Sequence, residues 1–476
     1  MKIRLLLLLL GCYACTQAQG PAVFTSSDSA MQRTYEWAGS MVRHYQGNPA
    51  DPVGPWYEAA LPSRMAFCMR DVAHQTIGAE IYGLDKENRN MISAFARHIS
   101  NERDWCSYWE INKYGKPAPE DYRNDTAFWY NLNANFDVVS ACWRLYQWTG
   151  DTSYITDPVL TDFFEKTTGE YIRRWVLQPD SLLTRPTHPN APSPFNAGDP
   201  FHVNRGLPSY VENVADLKMG VDLIATIYRG LLSYAAMLKA RGNMAKSVQL
   251  EHTAAQYQQL IDAVWWNERS ACYYTWYNGN GKFGAGEGAL FLLWFDALKD
   301  STRRRETIAR LTAGTWNVET TSYLPVILFK QGYWDKASSY ILQLTDPATP
   351  RREYPEVSFA VLEAIVRGLM GVEPDAAKKS ITTLYRGKSG SRGTLNNLQV
   401  LHTTIAVSHT PLQTVLRHTG KSTFQWKAAF AGNYNTIRIN NIAMPARHEV
   451  DNNGNMISYV AVMVKGSKTL DAKAGK

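Results

Sequence analysis

The chain has 476 residues, 45% of them hydrophobic, and a formal net charge of +7. A chain of this length can bury a large core, and the length allows about two or three domains. Its basic residues are scattered rather than gathered in one segment, which argues against nucleic acid as a partner, because neutralising phosphates requires a concentrated patch.

Residues 1–18 have the pattern of a bacterial export signal. Lys2 and Arg4 precede an apolar stretch at 5–10, and small residues follow it. This stretch is shorter than the roughly 20 residues that a membrane span requires, and we predict no other span. The protein is therefore predicted to be exported to the periplasm or cell surface of a bacterium. Cleavage at the end of the segment would release it, whereas Cys12, in a lipoprotein-like processing box, could instead carry a lipid anchor.

The cysteines beyond this segment do not form a metal-binding pattern. They are Cys68, Cys106, Cys142 and Cys272. Their spacing fits no zinc motif, so we expect no metal site, and no cofactor is predicted. Cys68 and Cys106 could pair in an oxidising compartment, but a domain of this size does not need disulfides, and we favour buried free thiols.

From about residue 30 to residue 375 the apolar period is that of amphipathic helices. Leu223, Ile227 and Leu231, for example, fall on one stripe. We predict helices over 30–45, 71–83, 86–100, 125–149, 152–176, 218–241, 245–266, 286–298, 301–312, 320–331, 334–345 and 355–370. Twelve helices, alternately long and short, are what six helical hairpins arranged in a ring require.

Two segments between these helices, 101–124 and 177–217, are too long to be simple connections. Loops of this length in a compact domain are usually functional or disordered, and the aromatic residues here argue against disorder. We interpret them as the rim of a binding cleft. Because aromatic rings stack well on the apolar faces of sugars, Trp105, Trp109 and Trp129 are candidate sugar contacts.

The composition changes after residue 375. Alternating, β-branched and aromatic runs between 394 and 464 predict strands, and clusters of Gly and Asn between them predict turns. The mainly α body is thus predicted to be followed by a small C-terminal antiparallel β-domain. We place the helical domain at 19–385 and the β-domain, of β-sandwich type, at 386–476.

Two short motifs, together with the helix count, resemble those of the six-hairpin (α/α)6 glycosidases. Residues 70–75 read R-D-V-A-H-Q and are similar to the R-D-x-A-x-Q of toroidal exo-α-mannosidases. Residues 363–375 resemble the last toroid helix and exit of α-L-rhamnosidase-type enzymes. The resemblance implies an (α/α)6 toroid and an inverting, exo-acting glycoside hydrolase that removes a terminal sugar from an oligosaccharide or polysaccharide.

The resemblance also implies two carboxyl groups on opposite sides of the central cavity. One acid protonates the leaving oxygen, and one carboxylate, about 6.5–9.5 Å away, activates water on the other face of the sugar. In the matching windows of this chain we identify Glu212 as the acid, with Asp216 as its rival. We identify Glu356 as the base, with Glu353 as its rival and Glu319 as a third candidate. For each of them a simpler role as a charge at a helix start stays open.

Residues near these windows are candidate sugar contacts. An aspartate such as Asp71 can accept hydrogen bonds from two neighbouring hydroxyls, and Arg70 can orient the sugar. An internal ion pair between these two residues is the alternative. His74 and Tyr354 are further candidates, although a lone histidine is more often a packed, hydrogen-bonded residue.

Two other classes of function stay open. A polysaccharide lyase acting on a uronate-containing glycan needs a Tyr or His base and a group that neutralises the uronate, and one loop offers His202, Asn204, Arg205 and Tyr210. A non-catalytic glycan-binding surface protein would use the same pocket without turnover.

Overall fold

The computed structural model describes residues 20–475, so the predicted export segment and Cys12 lie outside the described residues. Within that range, twelve α-helices of six residues or more alternate between an outer and an inner ring. The outer helices are α1 Ser29–Tyr45, α3 Asp85–Arg97, α5 Pro158–Lys166, α7 Met244–Val264, α9 Ser301–Ala313 and α11 Trp334–Thr345. The inner helices are α2 Met69–Tyr82, α4 Ala134–Thr149, α6 Val221–Ala240, α8 Ala289–Trp294, α10 Val318–Gln331 and α12 Pro355–Glu363.

Each inner helix packs against the next, and α12 closes the ring on α2. Because every outer helix returns the chain, the six inner helices run in one direction and begin on one face of the ring. Single π-helical turns, Thr167–Tyr171 and Ala364–Leu369, extend α5 and α12. The connections contain the short helices Asn101–Arg103, Ser153–Thr156, Ile172–Arg174 and Pro200–Val203. The predicted toroid of six helical hairpins is confirmed.

One predicted helix begins too early. The sequence predicted helix from residue 125, but residues Ala127–Phe128 and Tyr130–Asn131 form short strands, and α4 begins at Ala134. The second of these strands runs parallel to Arg205–Leu207, and the Asn131 side chain donates to the Ser209 carbonyl at 2.8 Å. These pairings hold the segment extended, which its local pattern does not reveal.

The remaining short strands lie in the connections between helices. They form three small antiparallel arrangements: Ala66–Cys68 with Glu110–Asn112, Tyr122–Asn124 with Ala127–Phe128, and Trp266–Asn267 with Cys272–Tyr273. A three-stranded sheet joins Leu217–Gly220, Trp276–Asn278 and Phe283–Gly284. All four cysteines beyond the predicted signal are buried and free, as favoured from the sequence.

Helix α6 lies in the core of the ring. Among the described residues it is the one helix that is long and apolar enough to cross a membrane, and 83% of its apolar window is buried inside the protein. An inner helix that contacts neighbours on every side is expected to be apolar all round.

Gly78 allows a close contact between two inner helices. A Cβ atom on this residue of α2 would lie 2.2 Å from the Phe359 carbonyl oxygen of α12. We expect Gly78→Ala to lower the free energy of unfolding by about 3 kcal/mol, because backbone atoms would have to move apart. Urea denaturation measures this change. Gly169→Ala is the matched control, because the nearest atom to its added Cβ is a side-chain nitrogen at 3.9 Å; an equal loss in both variants would contradict the expectation.

Two sheets accompany the toroid, and all of their strands except the first follow it in the chain. Their strands are β1 Val23–Ser26, β2 Val372–Asp375, β3 Ser380–Leu384, β4 Gly393–Val400, β5 Thr403–Thr410, β6 Gln413–His418, β7 Phe424–Ala431, β8 Thr436–Ile439, β9 Ile442–Pro445, β10 Arg447–Val450, β11 Met456–Val464 and β12 Thr469–Gly475. The seven-stranded sheet has the order β1-β4-β5-β6-β12-β8-β9, and the five-stranded sheet has the order β2-β3-β7-β11-β10. All neighbours are antiparallel except β3 and β7. The predicted C-terminal antiparallel β-domain is confirmed.

The pairing extends beyond the predicted boundary at residue 386. Strands β2 and β3 lie upstream of it, and β1, from the start of the described chain, pairs with β4. Buried and partly exposed residues alternate along β5, as expected for a sheet with one face on a core. The division into domains at 385 stays a prediction, because local composition does not show which sheet a strand joins.

Candidate active site

The inner helices bring Arg70 and three carboxylates together where α2, α10 and α12 begin. Arg70 donates to Glu319 at 2.7 Å and to Asp71 at 3.1 Å. Its guanidinium also lies near two aromatic rings, 5.8 Å from the centre of Trp109 and 5.2 Å from the centre of Tyr210. One cation is thus shared among acidic and aromatic groups, an arrangement suited to a polar ligand with apolar faces.

Glu356, in the first turn of α12, has a strongly perturbed carboxyl group. Burial raises its pKa well above 4.5, and the negative charges of Asp71 and Glu319 raise it further. Burial also raises the pKa of Asp71, although Arg70 opposes the change. Three acids close to one guanidinium cannot all ionise at low cost. Glu356 and Asp71 therefore stay protonated to a higher pH than ordinary carboxyl groups do.

Glu212 lies on the loop that leads to α6, and it meets the same central charges. Its side chain is exposed, yet the surrounding protein is dense enough for burial to raise its pKa above 4.5. Arg70 lowers this pKa, Glu319 raises it, and a hydrogen bond from Asn131 lowers it. Glu212 and Glu356 therefore have Arg70 and Glu319 as common neighbours.

Asp222, buried in the first turn of α6, holds the loop that carries Glu212. It accepts hydrogen bonds from the Ser209 hydroxyl at 2.8 Å, the Tyr210 backbone N–H at 2.6 Å and the Asn133 amide at 3.1 Å. Burial raises its pKa to about 7, against these hydrogen bonds. Asp222 was not among the residues predicted from the sequence, although a lone carboxylate in an apolar helix start was a usable signal.

His74 forms the floor beneath these groups. Its Nδ1 hydrogen-bonds the Tyr323 hydroxyl, and its Nε2 lies 3.1 Å from Asp137 Oδ1. Burial lowers the pKa of His74, and the positive charges of Arg144 and Arg70 lower it further, so its contact with Asp137 is a hydrogen bond of a neutral ring. His74 is 8% exposed, and its role as a sugar contact stays a prediction.

Two of the three predicted tryptophan contacts lie near this site, and the third packs against an outer helix. Trp109 borders Arg70, and Trp129 donates to Asn131, the neighbour of Glu212, at 2.9 Å. Trp105 instead packs against Lys166, at the end of outer helix α5. The role of Trp105 as a sugar contact stays a prediction, and its backbone has a positive φ of 64°.

The rival carboxylates have their own surroundings. The backbone of Asp216 accepts a hydrogen bond from the Gly279 N–H of a nearby hairpin turn. Glu353 is exposed, and its negative charge helps to raise the pKa of Tyr45 on outer helix α1. The ring of Tyr354 is covered by Arg351 at 5.1 Å.

Two of the four residues considered for a lyase, Arg205 and His202, lie beside acidic side chains of the protein. Arg205 pairs with Asp104, and its guanidinium lies over the rings of Phe128 and Trp175. His202 lies 3.7 Å from the carboxylate of Asp199, three residues away. Arg205 is therefore committed to an internal ion pair rather than free to neutralise a uronate.

No protein-family model matches the chain, and no curated protein matches it significantly. Solved structures do. A GH78 family rhamnosidase of Bacillus sp. GL1 has a TM-score of 0.60 at 12% identity, over 85% of this chain and 42% of its own. An α-L-rhamnosidase from Dictyoglumus thermophilum has a TM-score of 0.61 at 12% identity, over 96% and 51%. One from Aspergillus terreus has a TM-score of 0.55 at 11% identity, over 94% and 51%.

The chain thus spans about half the length of the rhamnosidases it matches. At such low identity the likeness concerns the fold. The predicted resemblance to the six-hairpin (α/α)6 glycosidases, including the rhamnosidase type, is confirmed at that level: this chain has the fold of those enzymes.

Proposed function

We propose that the protein is an exo-acting glycosidase that inverts the configuration of the sugar it releases, with Glu212 as acid and Glu356 as base. The observation that carries the proposal is that two carboxyl groups with raised pKa values share Arg70 and Glu319 as neighbours. Perturbed groups that converge on one cleft are typical of acid–base catalysis.

The proposed step moves two protons. Glu356 takes a proton from water as the water oxygen attacks the anomeric carbon. The bond from that carbon to the leaving oxygen breaks, and Glu212 gives its proton to this oxygen. Arg70 and Asp71 would hold the sugar hydroxyls, and the rings of Trp109 and Tyr210 beside Arg70 offer apolar surfaces for the sugar.

The exposure of the two carboxyl groups supports the assignment of their roles. Glu212 is exposed on a loop, whereas Glu356 is partly buried at the start of α12. In a pocket that accepts a chain end, the leaving group points to the mouth, so the acid should be the outer group. The long loop at 177–217 brings Tyr210 and Glu212 close to Arg70, and a loop of this length beside the pocket supports exo action.

The compartment and the substrate are parts of this proposal. The pattern at residues 1–18 supports export, with either release or a lipid anchor at Cys12, and hence a substrate outside the cytoplasm. The likeness to rhamnosidase structures makes terminal α-L-rhamnosides the first substrates to test.

The test is a panel of aryl glycosides and natural oligosaccharides, with the anomer first formed followed by proton NMR. Release of a terminal sugar with inverted configuration is expected. Retention would contradict the two-carboxylate mechanism. Binding without turnover of any substrate would leave the glycan-binding alternative, and absorbance near 232 nm from an unsaturated uronate would indicate a lyase.

The expected pH dependence of activity follows from the raised pKa values of Glu212 and Glu356. The base must be ionised and the acid protonated, so the profile should be bell-shaped, with activity rising through the lower of the two pKa values and falling through the higher. Since both values are raised from 4.5, both limbs of a kcat/KM profile should be centred above pH 4.5. An acidic limb centred below pH 4.5 would contradict these surroundings.

A further inference from the structure

A cavity of about 490 Å³ lies along the axis of the toroid, on the far side of His74 from Arg70. Residues of α4, α6, α8 and α10 and of the π-helical turn after α12 form its wall, and β3, β7, β10 and β11 of the five-stranded sheet contribute the far side. His74 and Asp137 line it, so a layer of buried side chains separates it from the candidate active site. Its volume lies within the range of natural small-molecule sites, about 300–1,000 Å³.

Four buried polar atoms on lining residues have no protein partner within residues 20–475. They are Asp137 Oδ2, Ser140 Oγ, Ser233 Oγ and Arg386 Nε. Three of these residues are at most 5% exposed. Because buried polar groups are nearly always hydrogen-bonded, four such atoms around one cavity indicate a place for polar guest groups. They come from α4, α6 and the segment after β3, so the ring and the sheet both contribute.

Most cationic side chains around the cavity have an acidic partner. Arg229 and Lys330 share Asp296, at 2.8 and 2.6 Å, Arg144 binds Glu363 at 2.9 Å, and Arg367 binds Glu363 and Glu373. Because these cations already have acidic partners, a neutral ligand suits the cavity better than an anion. The wall also contains the indole of Trp294, over which the Arg144 guanidinium lies 5.1 Å from the ring centre.

We propose that this axial cavity is a second binding site, for a neutral sugar of mono- or disaccharide size. Sugar hydroxyls both donate and accept, as the mixture of hydroxyl, carboxyl and guanidinium groups requires. The site is separate from the proposed catalytic centre, and its occupancy does not depend on turnover there.

The test measures binding of L-rhamnose, D-glucose, D-mannose and maltose by calorimetry and ligand-observed NMR. The protein used is the full chain with Arg70→Met, a substitution that weakens sugar binding at the candidate active site. We expect at least one of these sugars to bind, and Ser140→Ala/Ser233→Ala in the same background to weaken that binding roughly tenfold or more, since each hydroxyl offers a hydrogen bond. In the otherwise wild-type chain, the double change should leave any aryl-glycoside hydrolysis within about twofold.

Two results would overturn the proposal: binding of none of the four sugars, or binding that the double substitution does not alter. A crystal soaked with the sugar that binds locates it directly, and ordered water alone in the cavity would also overturn the proposal. Ser233→Leu, which fills part of the space, gives an independent variant, with circular dichroism as the check on folding. Because these experiments measure binding, an absence of glycosidase activity would not be mistaken for an absence of sugar binding in the cavity.

Discussion

Replacing Glu356 by Gln should lower kcat/KM about a thousandfold or more on every substrate that the protein hydrolyses. The amide cannot accept the proton of the attacking water, and general bases contribute on the order of 10² to 10⁴ in rate. The loss should be independent of the leaving group, because the change affects the attacking water. Steady-state kinetics on two aryl glycosides with leaving groups of different acidity measures it.

Glu353→Gln is the matched control for this prediction. It removes a carboxylate that stands just before α12 and is exposed, whereas Glu356 is partly buried. We expect its activity to stay within about threefold of the wild type, since it alters only a screened surface charge. Equal losses in both variants would indicate a general electrostatic effect and would remove Glu356 from the proposed chemistry.

Replacing Glu212 by Gln should produce a loss that depends on the leaving group. A poor leaving group needs the proton that Glu212 supplies, so hydrolysis of an alkyl glycoside should fall about a thousandfold. A dinitrophenyl leaving group departs without that proton, so the corresponding loss should be about tenfold or less. The limb of the pH profile that Glu212 contributes should also disappear, because glutamine does not ionise.

Asp216→Asn is the control for Glu212, since Asp216 lies on the same loop but borders the hairpin at Gly279. It should retain activity on both substrates. If dependence on the leaving group appeared with Glu356→Gln instead, the two roles would be exchanged. If it appeared with Asp216→Asn, the acid would be the rival residue.

The sequence predicted the ring because a helical period is a local property. In α6 the spacing of Leu223, Ile227 and Leu231 already defines a buried stripe. The start of α4 was wrong, since the pairing of Tyr130–Asn131 with Arg205–Leu207 joins residues far apart in the chain. Such a pairing leaves no period in either segment.

The candidate active site also combines features that are local in the sequence with contacts between distant residues. Arg70, Asp71 and Glu356 stand in the first turns of inner helices, and a ring of parallel helices brings such positions together. The contribution of Asp222 depends on Ser209 and Asn133, which approach it only in the folded ring. The surroundings of Trp105 depend on a loop turn that its sequence does not specify.

Strand β1 fixes where the first described residues lie relative to the candidate active site. The backbone N–H of Ala22 bonds to the Ile81 carbonyl at the end of α2, and β1 lies along β4, on the side of the ring where α2 and α4 finish. Arg70 and Glu356 stand in the first turns of inner helices, so β1 and the candidate active site lie on opposite faces of the ring. A label attached near residue 22 should therefore leave access to the candidate active site free.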